Sequence, residues 1–316
     1  MSCGSVFFKN VSRLWKSGRE RGVRPVFPPS VVASVKAVAC ELPAQLELPF
    51  SRFSINEIRQ HVIEQRIVES IGATTLWEWL HDDGIRPWTH RSWIFPRDPE
   101  FELKASRVVD LYERRWERES LGENDYVISS DEKTSIQARQ RIHDRTPPAP
   151  RRVSQVEFEY KRRGALAYLA ALDVHRGQVF GRCDTASGIE PFDKLVDAVM
   201  QQEPYRSANR VFWVVDNGSS HRGAAASERL RNAWPNLILV HTPVHASWLN
   251  QVEIYFSILQ RKVLTPNDFA SLEILEQMIL AFQERFSNLA QPFAWKFTRD
   301  HLRRWLNKLS AQPLAA

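Results

Sequence analysis

Apolar residues recur at helical spacing in three short segments near the start of the chain. The spacing predicts helices over about 30–40, from 54 to a turn at 66–71, and over about 72–81. Ser54 followed three residues later by Glu57 is the pattern of a capping box. Three short helices with a tight turn between the last two predict a helix-turn-helix unit, whose last helix enters the DNA major groove. Another small helical bundle is the alternative.

From residue 126 onward, the helical spacing of apolar residues gives way to short apolar runs and to alternation of apolar and polar residues, a pattern typical of strands. Helices are predicted at about 191–201, 247–263, 272–286 and 299–309, and a further helix is predicted after the strand that ends at 215. A hairpin is predicted at 165–172 and 178–181, because a turn-like segment separates these two runs. The other predicted strands are 126–130, 210–215 and 237–241. This order of strands and helices predicts a mixed α/β layer fold.

A connector at 86–99 alternates basic and aromatic residues between prolines. Its prolines exclude regular helix and predict an extended segment. Two interpretations remain open. Its basic residues follow DNA phosphates, or its tryptophans simply anchor a linker. A charged helix is predicted to follow, at about 100–119.

Composition excludes several protein classes. The longest uninterrupted apolar run has eight residues, at 165–172, whereas a membrane span needs ~20. The three cysteines are far apart, which excludes a disulfide framework or a thiolate zinc site. No secretory signal is visible. We therefore expect a soluble intracellular protein with no membrane partner.

The charge of the chain is modestly basic and unevenly distributed. Lys and Arg number 43 against 37 Asp and Glu, giving a formal net charge of +6. Basic residues cluster at 151–163 and again at 301–316. Patches of this kind often meet phosphate backbones. Charge alone, however, is better explained as the solvated face of a slightly basic enzyme.

Three acidic residues lie beside predicted buried elements, at positions where structure alone does not require an acid. Asp131 and Asp216 directly follow predicted strands, and Glu253 lies beside the apolar seam of a predicted helix. Ligand sites of open α/β sheets lie at the carboxyl ends of strands. Each acid alone is better explained as a turn, cap or solvated residue. Together they predict a site for two Mg²⁺ ions, which take oxygen ligands and clamp the attacking and leaving oxygens of a phosphodiester.

Three polar residues accompany these carboxylates. Asn217 and His221 follow Asp216, with His221 predicted in the first turn of the next helix. Asn250 is one helical turn before Glu253, so the two side chains share a face. Each of the three either orients a water or contacts a phosphate, or is a cap or a satisfied core group.

Four segments carry a resemblance to a known family: 130–139, 160–164, 215–221 and 242–253, together with the connector at 87–99. The chain resembles DDE transposases of insertion sequence family 630, the bacterial branch of the mariner superfamily, from about residue 24 to 298. The resemblance implies a ribonuclease-H-like catalytic domain with Asp131, Asp216 and Glu253 as its acidic triad. It implies Mg²⁺ as cofactor, with Mn²⁺ able to substitute. It also implies that the protein cleaves double-stranded DNA at element ends and joins the freed ends to target DNA at TA. The expected form on DNA is a homodimer, in the prokaryotic cytoplasm and associated with the nucleoid.

The resemblance also sets the expected domain order. Residues 1–23 are a remnant or replacement of a first DNA-binding unit, 24–85 a helix-turn-helix domain, and 86–120 a linker and helix. Residues 121–298 are the catalytic domain, and 299–316 a C-terminal helix and tail. Thr74, Thr75 and Glu78 are expected to contact bases from the third helix. The expected contacts to the DNA backbone are Arg91, Arg97, Lys161, Arg162 and Arg163.

Two alternatives to an active transposase remain open. The first is a truncated or repurposed helix-turn-helix protein that binds DNA without cutting it. The second is a structure-selective nuclease with the same fold. Metal-dependent nicking distinguishes the transposase and the structure-selective nuclease from the binding protein. Strand-transfer products then distinguish the transposase from the nuclease.

Overall fold

The computed structural model describes residues 27–90, 96–289 and 291–310 of the chain. The chain divides into two compact units between residues 94 and 95. Within the described ranges, no helix is long and apolar enough to cross a membrane. Each unit is described separately below.

The first unit consists of three helices around one apolar core. The helices are α1 (Pro29–Cys40), α2 (Ile55–Glu64) and α3 (Ala73–Asp82). Their inward side chains, among them Val35, Ile58 and Leu76, are fully buried. A short 3₁₀ turn, Pro43–Leu46, lies between the first two helices.

The start of α2 confirms the capping box predicted from the sequence. The Ser54 hydroxyl accepts a hydrogen bond from the Glu57 backbone N–H at 3.3 Å, and the Glu57 carboxylate accepts one from the Ser54 N–H at 2.5 Å. The first helix begins at Pro29, where the fixed φ of proline already suits the first helical turn.

The second unit is built on a five-stranded mixed sheet in the order β5-β4-β3-β6-β7. Both β3–β4 and β4–β5 are antiparallel, whereas β3–β6 and β6–β7 are parallel. A separate two-stranded ribbon pairs β1 with β2. The strands are β1 (Arg115–Trp116), β2 (Glu119–Ser120), β3 (Asp125–Gln140), β4 (Lys161–Asp173), β5 (Val179–Asp184), β6 (Arg210–Val215) and β7 (Leu237–His241).

Helices cover this sheet and bury its central strands. Three apolar clusters line it, and β6 contributes to two of them because Trp213 and Phe212 point to opposite faces. The third cluster packs α7 and α8 against β4. The helices are α4 (Phe101–Tyr112), α5 (Ile189–Met200), α6 (Gly223–Ala233), α7 (Val252–Lys262), α8 (Leu272–Asn288) and α9 (Arg299–Ser310).

The largest differences from the sequence-based prediction are at three element boundaries. The helix after the connector ends at Tyr112, because β1 and β2 form the ribbon that follows it. Strand β3 continues well past Asp131 to Gln140, with a register shift between Lys133 and Ile136. The helix predicted from Ser247 is instead a 3₁₀ turn, Ser247–Leu249, followed by α7.

Candidate active site

The register of two parallel strands brings Asp131 and Asp216 to matching positions. Ser129 on β3 pairs with Val214 on β6, and each aspartate lies two residues beyond that pair. Neighbouring strands are about 4.8 Å apart. Asp216 directly follows β6, as predicted, whereas Asp131 lies within the longer β3. The two carboxylates therefore leave the sheet side by side.

The start of α7 is attached to β3 beside Asp131. Ser129 Oγ accepts a hydrogen bond from the Val252 N–H at 2.9 Å and donates one to Asn250 Oδ1. Asn250 Nδ2 donates to the Ser130 carbonyl at 2.8 Å. Because Glu253 lies in the first turn of α7, these bonds hold its helix against the strand that carries the first aspartate.

Asp216 is oriented by two hydrogen-bond donors on one oxygen. Its Oδ1 accepts from His221 Nε2 at 2.6 Å and from the Gly218 N–H at 2.7 Å. The hydrogen bond from His221, followed by that from Gly218, lowers the pKa of Asp216 below its ordinary value despite partial burial. Within the described ranges no donor reaches Oδ2, so this oxygen is available to a ligand.

Asp131 carries the strongest electrostatic perturbation of the three acids. Burial raises its pKa to about 7, and the charges of Asp216 and Glu253 add to the rise, against a hydrogen bond from the Glu132 N–H. Burial and the charge of Asp216 also raise the pKa of Glu253, while Lys133 opposes this. The three carboxylates thus lie within electrostatic reach of one another, and their mutual repulsion favours a cation.

The three predicted polar neighbours have distinct contacts. Asn217 donates to the Thr242 carbonyl at 2.8 Å, a bond between two loops. Asn250, besides attaching α7, lies 3.4 Å from Asp131 Oδ2 through its amide nitrogen. His221 is fully buried and contacts Asp216, but it precedes α6 instead of lying in its first turn.

The donor set fits divalent cations held by pairs of carboxylates. In the described part of the chain, no group of three or more His, Cys, Asp or Glu side chains is arranged to hold one ion together. Mg²⁺ usually keeps several waters and takes only one or two protein carboxylates, with substrate phosphate completing its shell. The charges of Asp216 and Glu253 both act on Asp131, so these carboxylates are the residues that could supply such ligands.

Among the described residues that were predicted to contact DNA, all but Thr75 are exposed. Thr74 and Glu78 are exposed on α3, and Thr75 is half-buried. Arg97, Lys161, Arg162 and Arg163 are exposed, while Arg91 lies outside the described residues. Lys161, Arg162 and Arg163 begin β4, opposite the end of β3, where Arg163 donates to Gln140 at 2.8 Å.

Several residues around the site were missed by reasoning from the sequence. Ser129 attaches α7, Glu132 bonds Ser220, and Lys133 lies near Glu253. Their partners are distant in the sequence, so no local pattern marks them. The only available signal was position, because all three flank Asp131 on β3.

Residues 126–276 match the family model described as DDE superfamily endonuclease. This segment contains all three carboxylates described above. No curated protein matches the chain.

Solved structures of Mos1 transposase complexes resemble this chain in fold. A crystal structure of the mariner Mos1 paired-end complex with Mg has a TM-score of 0.52 at 14% identity, covering 96% of this chain and 85% of that one. A Mos1 paired-end complex with Mn has a TM-score of 0.48 at 14% identity, covering 85% and 80%. The mixed sheet flanked by helices, together with the family match, fits a ribonuclease-H-like DDE domain.

Proposed function

We propose that this chain is a transposase that cuts DNA at the ends of an insertion sequence and joins the freed ends to target DNA. The observation that carries the proposal is the convergence of Asp131, Asp216 and Glu253 inside the segment that matches the DDE superfamily endonuclease model. The finer assignment is to insertion sequence family 630, with TA as the target and a homodimer on DNA. That assignment rests on the sequence motifs.

In this proposal Asp131, Asp216 and Glu253 hold two Mg²⁺ ions. When bound, such ions activate the attacking oxygen and stabilise the leaving oxygen of a phosphodiester. The chain's own residues orient the ligands. His221 and the Gly218 N–H fix one oxygen of Asp216 and leave the other for a cation. Asn250 holds the helix of Glu253 against β3.

DNA binding is proposed for both units. We infer that α1–α3 include a helix-turn-helix with Thr74, Thr75 and Glu78 at the bases. Helix α3 carries no Lys or Arg, so phosphate affinity has to come from elsewhere. Exposed basic residues of the connector and of β4 are suited to this, since contacts to phosphate position a protein without specifying sequence. The proposed phosphate contacts are Arg91, Arg97, Lys161, Arg162 and Arg163.

The test uses an end-labelled duplex containing the inverted repeat and an unlabelled target plasmid. We expect nicks and strand-transfer products with Mg²⁺, and neither product with EDTA. Asp216→Asn should abolish both while DNA binding persists, whereas Asp144→Asn, at an exposed aspartate outside the site, should behave like the wild type.

The products discriminate among the candidate functions. Nicks without joined products indicate a structure-selective nuclease. DNA binding without any metal-dependent product indicates a binding protein. Metal-dependent cleavage retained by Asp216→Asn would contradict the assignment of the site itself.

A further inference from the structure

A second acid on β3 reaches the loop that carries Asp216. Glu132 follows Asp131, and alternation along a strand points the two side chains to opposite faces. Glu132 Oε1 accepts a hydrogen bond from Ser220 Oγ at 2.7 Å. Ser220 is 3% exposed. This bond therefore joins β3 to the loop after β6.

Two further hydrogen bonds connect Ser220 to Asp216 through His221. Ser220 Oγ lies 2.9 Å from His221 Nδ1, and His221 Nε2 lies 2.6 Å from Asp216 Oδ1. The single hydroxyl proton of Ser220 goes to Glu132, so Nδ1 donates to Ser220 Oγ; an ionised carboxylate only accepts hydrogen bonds, so Nε2 donates to Asp216. Both nitrogens of one fully buried imidazole are thus engaged, one toward Glu132 through a serine and the other toward Asp216.

The backbone of this loop is anchored without the serine hydroxyl. Arg229 donates to the Ser220 carbonyl at 2.9 Å, and His241 Nε2 donates to the His221 carbonyl at 2.7 Å. The imidazole ring also packs against Phe192, with ring centroids 4.9 Å apart. The hydroxyl therefore adds one specific constraint, which limits the rotation of the imidazole about its side-chain bonds.

We propose that Glu132 and Ser220 are positioning residues that hold His221, and through it the Asp216 carboxylate, in the orientation that binds a divalent cation. This inference rests on the proposed function, because it requires Asp216 to be a metal ligand. Hydrogen-bonded partners that orient metal ligands typically change metal affinity by 10–100-fold when they are removed. A purely structural role predicts a change in unfolding temperature with no change in metal affinity.

The experiment measures Mn²⁺ binding to the full-length, DNA-free protein from the electron paramagnetic resonance signal of free Mn²⁺. We expect Ser220→Ala to weaken binding by about tenfold or more, and Ser220→Thr, which keeps a hydroxyl, to stay within about threefold of the wild type. Thermal unfolding of each variant shows whether it is folded.

A second pair of variants tests the other end of the chain. Glu132→Gln removes the charge but keeps an oxygen that accepts from Ser220, whereas Glu132→Ala removes both. We expect Glu132→Ala to bind Mn²⁺ about tenfold more weakly than Glu132→Gln. Glu132 is only half-buried, so both of its variants should fold. This pair therefore tests the positioning role even if Ser220→Ala does not fold.

Ser207→Ala is the matched control. Ser207 Oγ donates to Glu203 at 2.5 Å, the same type of bond in an exposed turn after α5. Its removal should leave Mn²⁺ affinity unchanged.

Asp216→Asn separates failure of the inference from failure of the proposed function. Unchanged Mn²⁺ affinity in Asp216→Asn would overturn the proposed metal site. Loss of affinity in Asp216→Asn would preserve that site. The positioning role would then be overturned by wild-type affinity in folded Ser220→Ala, or by equal affinity in Glu132→Gln and Glu132→Ala.

Discussion

Replacing Asp131 by Asn should stabilise the metal-free protein at neutral pH. Burial and the charges of Asp216 and Glu253 raise the pKa of Asp131 to about 7, so the folded chain retains a proton that the unfolded chain has lost. Wild-type stability therefore falls as pH rises from about 4 to about 7. Asparagine stays neutral and avoids this loss. The stability of Asp131→Asn relative to the wild type should therefore rise between pH 4 and pH 7 and be constant above about pH 7.

The size of the gain follows from the pKa. A rise from the ordinary 3.8 to about 7 corresponds to ~4 kcal/mol at about 1.4 kcal/mol per pH unit. Asn250 Nδ2 lies 3.4 Å from Asp131 Oδ2, and an amide nitrogen placed there would face another donor. This contact costs ~2 kcal/mol at every pH, so we expect Asp131→Asn to be ~2 kcal/mol more stable than the wild type above pH 7 and ~2 kcal/mol less stable at pH 4. For a unit of about 220 residues, such as the second unit, a gain of ~2 kcal/mol is a rise of roughly 4–8 °C in Tm.

The assay is thermal or urea unfolding in EDTA, at several pH values from 4 to 8, for the wild type and Asp131→Asn. Asp144→Asn, at an exposed aspartate, is the control and should show no pH-dependent difference. A gain equal at pH 4 and pH 8, or a loss at pH 8, would refute the argument that the site is destabilised by its own buried charge.

Three further outcomes follow from the geometry. Gly218→Ala would place a Cβ 3.0 Å from Asp216 Oδ1 and 3.1 Å from the His221 ring, so Mg²⁺-dependent nicking should fall by about tenfold or more. Gly122→Ala, with 3.6 Å of clearance, should nick like the wild type. Asp98→Ala removes bonds from Lys104, the Glu100 N–H and the Val244 N–H and should cost ~2 kcal/mol in urea unfolding. Glu100→Gln, which removes only an exposed ion pair, should cost less than ~1 kcal/mol. Arg162→Ala should lower the salt slope of DNA binding by about one, and an unchanged slope would remove Arg162 from the phosphate contacts.

Local chemistry made some of this structure predictable from the sequence. The capping box at Ser54 needs only neighbours three residues apart, and Asp216 follows a run of five buried residues that marks a central strand. The hairpin of β4 and β5 was predictable because a turn-like segment separates two apolar runs. These features depend on residues close in the sequence.

Other features depend on contacts that the sequence does not display. The end of β3 is polar, and it remains a strand because it pairs with β4, with Ile136 and Ala138 facing the core. The helix predicted from Ser247 is interrupted because Asn250 turns its amide into β3. The chain from Glu132 to Asp216 joins residues more than 80 positions apart, and only the sheet register brings them together.

The most direct test of the metal centre is anomalous diffraction from a crystal of this protein soaked in Mn²⁺. We predict two peaks bounded by Asp131, Asp216 and Glu253, roughly 3.5–4 Å apart. Asp216→Asn should lose at least one of them. Mn²⁺ bound only elsewhere, with no peak within coordination distance of any of the three carboxylates, would contradict the account.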